Sequence, residues 1–326
     1  MGVLVEGKWQ DQLPATKDSG GKFVRVDAGF RNWITENGDA GPSGVGGFKA
    51  EADRYHLYIS HACPWANRTA IFRKLMGLED IISLSVVDHF MGNEGWTFEE
   101  AGGDETRDHL FGSSHLHQIY TKAKSDYTGR VSVPVLWDKK QQTIVSNESS
   151  EIIRMFNSAF NEITGNQLDY YPVANRDEID AVNQRVYDTL NNGVYECGFA
   201  TTQAAYEVAF APLFETLDWL EDILSGQAYL AGDQISEADW RLFSTLVRFD
   251  PVYVSHFKCN KKRIADYPNL SNYTRQLYQW PGVAETIDLH HIKSHYFGSH
   301  ESINPTRIVP VGPQVDYSAP HDRDRF

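Results

Sequence analysis

The tetrapeptide Cys63-Pro64-Trp65-Ala66 is the segment of this chain best suited to chemistry, because it directly follows the apolar run His56-Leu57-Tyr58-Ile59-Ser60. The run predicts a strand, and the residues after Cys63 predict a helix that ends near Gly77. A proline suits the first helical position, where its missing N–H costs nothing. A thiol at this point meets unpaired N–H groups and the positive end of the helix dipole, which stabilise a thiolate. Cys63 is therefore predicted to be a nucleophile.

The other cysteines do not extend this site. Ala66 stands where a dithiol motif would carry its second cysteine, so Cys63 is expected to form mixed disulfides with a small external thiol. Cys197 and Cys259 are predicted to be buried small hydrophobes. Three cysteines in a long chain do not make a disulfide framework, and a reducing cytoplasm fits them best.

Metal chemistry is not predicted. His291 and His295 are four residues apart and could share one face of a helix, but the sequence offers no third ligand beside them. His61 lies close to Cys63 in the chain, although the sequence alone does not show in which direction its side chain points. We therefore expect no metal at the reaction centre.

Length and charge limit the class of protein. A chain of 326 residues predicts two domains, and a net charge of −14 argues against nucleic acid or an anionic membrane as main partner. No apolar run approaches twenty residues, so no membrane span is expected, and the N-terminus lacks the pattern of a signal peptide. These features predict a folded soluble protein. They do not exclude an anionic small ligand, which a local basic group such as Arg130 could bind.

Four segments are predicted along the chain. An extended N-terminal arm rich in glycine covers 1–50, an α/β domain covers 51–160, an all-helical domain covers 175–295, and a C-terminal tail covers 296–326. The α/β domain has strands at 55–60, 82–87, 132–138 and 143–146 and helices at 64–76, near 113–125 and from 148, the last capped by Asn147. Its β-α-β-α-β-β-α order is that of the thioredoxin-like domain. The stretch 88–112, which carries Trp96, is predicted to be a long functional loop.

A monothiol Cys-Pro in a thioredoxin-like domain, followed by a helical domain, resembles the glutathione S-transferases. Within them the chain is most similar to the Xi class, the glutathionyl-hydroquinone reductases. The resemblance implies the glutathione S-transferase fold, an α/β thioredoxin-like N-terminal domain plus an all-α C-terminal domain, and a homodimer. It spans nearly the whole chain and is carried by residues 21–23, 30–33, 53–58, 62–66, 95–98, 129–131, 133–138, 144–149, 192–195, 248–253, 295–297 and 303–305.

The resemblance also implies a glutathione site. Val131, Ser132 and Val133, before a cis Pro134, would pair with the cysteinyl backbone of glutathione. Ser149 and the helix N–H groups would hold the γ-glutamyl carboxylate, and Glu148 would hold the ammonium. Arg130 would meet the glycyl carboxylate, and Trp96 would fold over the tripeptide.

Three tyrosines complete the implied machinery. Keeping Cys63 mostly ionised near neutral pH requires on the order of 3–4 kcal/mol. A helix terminus supplies about 0.3–1 kcal/mol and at best about 2, so further donors are needed. The resemblance assigns this task to Tyr253 and Tyr296, and it makes Tyr195 the proton donor and acceptor toward the substrate.

The implied reaction is reduction of a glutathionyl-hydroquinone. The Cys63 thiolate attacks the glutathionyl sulfur, Tyr195 protonates the aromatic carbon that leaves, and a second glutathione resolves the mixed disulfide. Two alternatives stay open: an omega-type thiol transferase or dehydroascorbate reductase, and a non-catalytic glutathione-binding protein. The physiological quinol is not predicted.

Overall fold

The computed structural model describes residues 2–11, 18–98 and 106–326. It contains two compact units. Within the described residues, the first unit comprises 2–11, 26–98, 106–168 and 286–295, and the second comprises 18–25, 169–285 and 296–326. None of the described helices combines the length and apolar character that crossing a bilayer requires.

The first unit has nine strands, four complete α-helices and the first residues of the helix Leu289–Ser299 among its described residues. The strands and the complete helices are β1 (Val3–Val5), β2 (Lys8–Gln10), β3 (Tyr55–Ile59), α1 (Pro64–Leu75), β4 (Ile82–Val86), β5 (Met91–Gly92), β6 (Gly95–Trp96), α2 (Leu116–Ala123), β7 (Gly129–Arg130), β8 (Val135–Asp138), β9 (Thr143–Ser146), α3 (Ser149–Ser158) and α4 (Asn161–Thr164).

A four-stranded mixed sheet in the order β4-β3-β8-β9 forms the centre of the first unit. β3 is parallel to β4 and antiparallel to β8, and β8 is antiparallel to β9. Every residue of β3 is buried, as expected of a central strand. This is the thioredoxin-like arrangement that the element order predicts.

Two smaller sheets accompany the central one. β1 pairs with β2 and with β7, so residues 3–10 form strands where the sequence predicts little regular structure. β5 and β6 form a short hairpin inside the predicted long loop 88–112. Residues 99–105 of that loop, and 12–17 of the predicted arm, lie outside the described residues.

The second unit is helical, as its 3.6-residue periodicity predicts. Its helices are α5 (Arg176–Val186), α6 (Gly193–Phe199), α7 (Gln203–Gly226), α8 (Glu237–Arg248), α9 (Pro268–Tyr278) and the last residues of α10 (Leu289–Ser299). α10 crosses the boundary that the sequence predicts between 295 and 296, so Tyr296 is helical. The following tail packs on this unit, where the buried Arg323 donates to the carbonyls of Leu224, Gln227 and Ala228.

Two segments of the second unit are π-helical, with a wider turn than an α-helix. Tyr187–Asn191 follows α5, and its hydrogen bond runs from Asn192 N–H to Tyr187 C=O at 3.0 Å. Phe249–Tyr253 follows α8, with Val254 N–H donating to Phe249 C=O at 3.0 Å. Such turns are rare and occur often near functional residues.

A buried ion pair fixes the start of β3 to the end of β8. The guanidinium of Arg54 donates to both carboxylate oxygens of Asp138, at 2.5–3.1 Å, and the side chains are 5% and 0% exposed. Arg54 also binds Glu51, which pairs with the exposed Lys140 at 3.3 Å.

Replacing Arg54 with Met should lower the free energy of unfolding by about 3–5 kcal/mol, because Asp138 would remain buried without its cation. Urea unfolding monitored by circular dichroism measures the change. The matched control is Lys140→Met, whose side chain is 65% exposed and belongs to the same charge cluster. It should cost less than about 1 kcal/mol. Equal effects of the two substitutions would contradict the role assigned to the buried pair.

Candidate active site

Cys63 is the N-cap of α1, as the sequence predicts, and Pro64 occupies the first helical position. The carbonyl of Cys63 accepts the first helical hydrogen bond from Asn67 N–H at 2.9 Å. Its side chain does not form a capping hydrogen bond with the start of the helix, which lies wholly within the described residues. The half-buried sulfur lies 3.7 Å from the carbonyl oxygen of Val133. The 131–133 segment therefore contacts the thiol directly, and the field of the helix terminus also acts on it.

The 131–133 segment lies between β7 and β8, outside any strand, although the sequence predicts a strand from 132. The Val133–Pro134 peptide is cis, as the resemblance implies. The backbone of Ser132 is occupied on both sides by the Tyr120 hydroxyl, which donates to its carbonyl at 2.8 Å and accepts from its N–H at 3.2 Å. Val131 and Val133 therefore remain the better candidates for pairing with a peptide ligand.

Tyr120 is a site-forming residue that sequence reasoning missed. It lies in α2, is fully buried, and its hydroxyl also accepts from Asn147 Nδ2 at 3.0 Å. Burial raises the pKa of Tyr120, so the hydroxyl stays protonated and keeps its hydrogen bond to the Ser132 carbonyl. No motif marks this tyrosine among the sixteen of the sequence.

The cap of α3 lies one residue later than the sequence predicts. Asn147 is predicted to cap this helix, but the cap is Glu148, whose carboxylate accepts from Ser150 N–H at 3.0 Å. Asn147 faces the other way, accepting from Phe30 N–H at 3.0 Å and donating to Tyr120. Because its amide serves these buried groups, it cannot also serve the helix. Ser149 follows as the first helical residue and is 3% exposed.

Arg130 and Trp96 are held by short strands. Arg130 in β7 pairs in register with Val3 of β1 and is half-buried. Trp96 in β6 is buried, and its ring stacks on the imidazole of His295 with centroids 4.7 Å apart. His295 Nδ1 also lies 2.9 Å from the carbonyl oxygen of His89. The sequence offers His295 and a histidine four residues earlier as a possible pair of metal ligands but predicts no metal site there. In the structure the ring of His295 packs against Trp96.

The second histidine of that pair, His291, lies among aromatic rings. Its imidazole packs edge-on against those of His61 and His89, with centroids 5.5 and 5.2 Å away. Burial lowers the pKa of His291, which favours the neutral ring. His61 is therefore part of a histidine cluster in the first unit.

In the second unit the three predicted tyrosines meet at their hydroxyls. Tyr195 Oη lies 2.6 Å from Tyr296 Oη, which lies 3.1 Å from Tyr253 Oη. Tyr253 and Tyr296 are buried, and Tyr195 is partly exposed. Burial raises the pKa of Tyr253 and of Tyr296 well above the usual value, so both remain neutral at physiological pH.

Each of the three hydroxyls carries one proton and can both donate and accept a hydrogen bond. Either oxygen can be the donor in the Tyr195–Tyr296 and Tyr253–Tyr296 contacts, so the direction of these bonds can reverse.

Aromatic packing and one arginine fix the ring of Tyr195. Phe257 and Phe199 lie 5.4 and 6.3 Å from it, centroid to centroid. The guanidinium of Arg25 lies over the ring at 5.2 Å, and its Nε donates to Asn192 Oδ1 at 2.6 Å. Arg25 was not predicted, since an arginine in a glycine-rich segment carries no signal of its own.

Comparison with known proteins agrees with this arrangement. Residues 62–159 match the glutathione S-transferase N-terminal domain, and residues 203–276 match the C-terminal domain. The chain is 56% identical over 324 residues to glutathionyl-hydroquinone reductase YqjG of Escherichia coli, covering 99% of each chain. It is 55% identical over 313 residues to glutathionyl-hydroquinone reductase PcpF of Sphingobium chlorophenolicum, covering 96% of each.

Solved structures give the same result. The glutathione-bound structure of the Escherichia coli protein has a TM-score of 0.92, at 54% identity, over 99% of this chain and 100% of that one. A Xi-class glutathione S-transferase from Natrialba magadii has a TM-score of 0.91, at 45% identity, over 100% of this chain and 97% of that one. The chain thus belongs to the glutathione S-transferase family, in its Xi class of glutathionyl-hydroquinone reductases.

Proposed function

We propose that this protein reduces glutathionyl-hydroquinones to hydroquinones at the expense of glutathione. The observation that carries the proposal is the position of Cys63 at the start of α1, with its sulfur beside the Val133 carbonyl and Ala66 in place of a second cysteine. None of the three cysteines is in a disulfide. A lone nucleophilic thiol in a thioredoxin-like unit is suited to a mixed disulfide with an external thiol.

The first step transfers the glutathionyl group. The Cys63 thiolate attacks the sulfur of the glutathionyl-hydroquinone, a sulfur–sulfur bond forms, and the bond from sulfur to the aromatic carbon breaks. The electron pair of that bond stays on the carbon, which takes up a proton and gives the hydroquinone. In the second step the thiolate of another glutathione attacks the mixed disulfide, releasing oxidised glutathione and the Cys63 thiolate.

The leaving carbon needs a proton, and we assign its delivery to Tyr195, the partly exposed member of the tyrosine cluster. Tyr253 and Tyr296 are assigned to stabilising the Cys63 thiolate as neutral donors. The two tasks would follow one another, because the thiolate is needed before the carbanion forms.

Glutathione binding is assigned to the first unit. Glu148, already the cap of α3, would use its remaining carboxylate oxygen for the ammonium, and Ser149 with the helix N–H groups would bind the γ-glutamyl carboxylate. Val131, Ser132 and Val133 would line the cysteinyl backbone. Arg130 would bind the glycyl carboxylate, and Trp96 would cover the tripeptide.

We further infer a homodimer in a reducing compartment such as the cytoplasm. Three thiols without a disulfide support the compartment, and the family supports the dimer. Size-exclusion chromatography with light scattering tests the dimer, and a monomer at micromolar concentration would contradict it. The proposed reaction needs no metal.

Replacing Cys63 with Ser should abolish release of hydroquinone, with kcat lowered by about 10³-fold or more, because a hydroxyl cannot form the mixed disulfide. Turnover of a glutathionyl-hydroquinone with added glutathione measures the effect. Mass spectrometry should find one glutathionyl group on the native protein and none on the variant.

Cys259→Ala, which removes a buried thiol, is the control and should keep the activity. A native protein that reduces dehydroascorbate or a mixed disulfide, but not the hydroquinone conjugate, would support the omega-type alternative. Inactivity with all of these substrates would support a binding protein.

Replacing Tyr195 with Phe should lower kcat for cleavage of the conjugate by about 10²–10⁴-fold, because the carbanion loses its proton donor. Reduction of a preformed Cys63–glutathione disulfide should change little, since its leaving group is a thiolate. A parallel loss in both reactions would contradict the role of Tyr195 as proton donor.

Replacing Tyr253 or Tyr296 with Phe should raise the pKa of Cys63, because the thiolate loses a neutral donor. The pH profile of alkylation by iodoacetamide would then move to higher pH, since the thiolate is the reactive form. An unmoved profile would remove these two tyrosines from the assigned role.

Replacing Arg130 with Met should weaken glutathione binding about 10–100-fold, the effect of losing one charge-assisted pair. Isothermal titration with the Cys63→Ser chain, which binds without reacting, measures the affinity. Lys124→Met is the matched control, an exposed cation six residues earlier, and should bind as the parent does. γ-Glutamylcysteine, which lacks the glycyl residue, should bind equally to the Arg130→Met chain and to its parent. A difference with that ligand would contradict the assignment of Arg130 to the glycyl carboxylate.

A further inference from the structure

Three side chains of the first unit bring their ligand atoms close together, and none of them has a role in the proposed reaction: Glu94, His115 and His117. Glu94 lies in the turn of the β5–β6 hairpin, His115 directly precedes α2, and His117 is in its first turn. Their ligand atoms all lie within 4.8 Å of one another. In the part of the chain that the structure describes, these are the His, Cys, Asp or Glu side chains that come close enough in a group of three to share a metal ion.

Both imidazoles face the same carboxylate oxygen. Glu94 Oε2 lies 3.3 Å from His115 Nε2 and 3.9 Å from His117 Nε2. These separations are longer than an ordinary hydrogen bond. Ligand atoms around a tetrahedral zinc ion, with bonds of 2.0–2.1 Å, are about 3.3 Å apart. Small side-chain movements would therefore bring all three atoms into a first coordination shell.

His117 gives a second observation. Its Nε2 is shielded from solvent, and within the described part of the chain no hydrogen-bond partner reaches it. A buried imidazole nitrogen without such a bond is unusual, because burial removes its hydrogen bonds to water and no protein group has replaced them. A cation held between this nitrogen and Glu94 Oε2 would satisfy both atoms.

The surroundings hold the two imidazoles in place. Ser114 Oγ lies 2.9 Å from His115 Nδ1, which leaves Nε2 directed at Glu94, in the manner of an outer-shell partner. The His117 ring is stacked between that of His115, at 5.2 Å, and the indole of Trp9, at 4.9 Å. Trp9 Nε1 also donates to the carbonyl of Asn93, next to Glu94, at 2.9 Å.

From these contacts we propose that Glu94, His115 and His117 bind a divalent transition-metal ion. Two imidazoles and one carboxylate suit zinc, cobalt, nickel or copper better than magnesium or calcium, which prefer oxygen ligands. The exposed Glu94 leaves room for water as a fourth ligand. The ion would tie the hairpin that carries Trp96 to the start of α2. It takes no part in the proposed reaction.

The test uses the full-length chain without a polyhistidine tag, in a Cys63→Ser background that removes the competing thiolate. After treatment with a chelator, Zn²⁺ is titrated in competition with a chromophoric chelator, and Co²⁺ is added separately to read the coordination from its visible bands. One equivalent of Zn²⁺ should bind. His115→Gln and His117→Gln should each weaken binding about 10-fold or more, and Ser114→Ala about 10-fold.

The control is His290→Gln, an exposed histidine beside the His61, His89 and His291 cluster, and it should bind Zn²⁺ as the parent does. Glu94→Gln tests the third ligand at a side chain that is 59% exposed, so the chain should fold even if a histidine variant does not. Weaker binding by Glu94→Gln supports the proposal. Absence of saturable binding, parent-like affinity in the Glu94, His115 and His117 variants, or loss of binding in His290→Gln would each overturn it.

Discussion

The turn between β3 and α1 determines where the reactive sulfur can be. Ser60 is buried, its carbonyl accepts from Cys63 N–H at 3.2 Å, and its hydroxyl accepts from Ala62 N–H at 3.2 Å. The chain therefore reverses within a few residues of a fully buried strand, and Pro64 can begin the helix at once. Because both flanking elements are packed in the core, the thiol has little freedom to leave the Val133 carbonyl. The roles proposed for the glutathione-binding residues depend on this fixed position of the Cys63 thiol.

The proposed role of the tyrosine cluster depends on the protons of its three hydroxyls. Burial raises the pKa of Tyr253 and of Tyr296, so their hydroxyls keep their protons, as the proposed donor role requires. In the proposed reaction the proton given to the leaving carbon must be replaced before the next turnover. The second glutathione releases a proton when its thiol ionises, so the complete cycle neither consumes nor produces protons. Tyr195 would then be the acid of the first step only, and its proton would be restored through solvent.

Sequence reasoning predicted the parts of this protein that local patterns encode. The strand–Cys-Pro–helix junction, the glycine after α1 and the helical periodicity of the second unit all depend on neighbours in the chain. It did not find Tyr120, Arg25 or the stacking of His295 on Trp96, because these contacts join residues distant in sequence. Asn147 is a similar case. Its residue type favours capping a helix, but its side-chain amide instead binds the backbone N–H of Phe30 and the hydroxyl of Tyr120. The roles of the three tyrosines came from family resemblance, and the hydroxyl contacts came from the structure.

The two π-helical turns have a consequence for how this sequence can change. One ends at Tyr253, and the other lies just before the helix that carries Tyr195. Each π-helical turn contains one residue more than a turn of α-helix. Along an α-helix each residue is rotated by about 100° from the one before it, so one residue more or less changes the direction of every side chain that follows. Deleting one residue from Phe249–Tyr253 would restore a regular helix and turn the Tyr253 phenol away from Tyr296. Insertions and deletions in these two turns should therefore be far less tolerated over evolution than substitutions that keep the length of each turn.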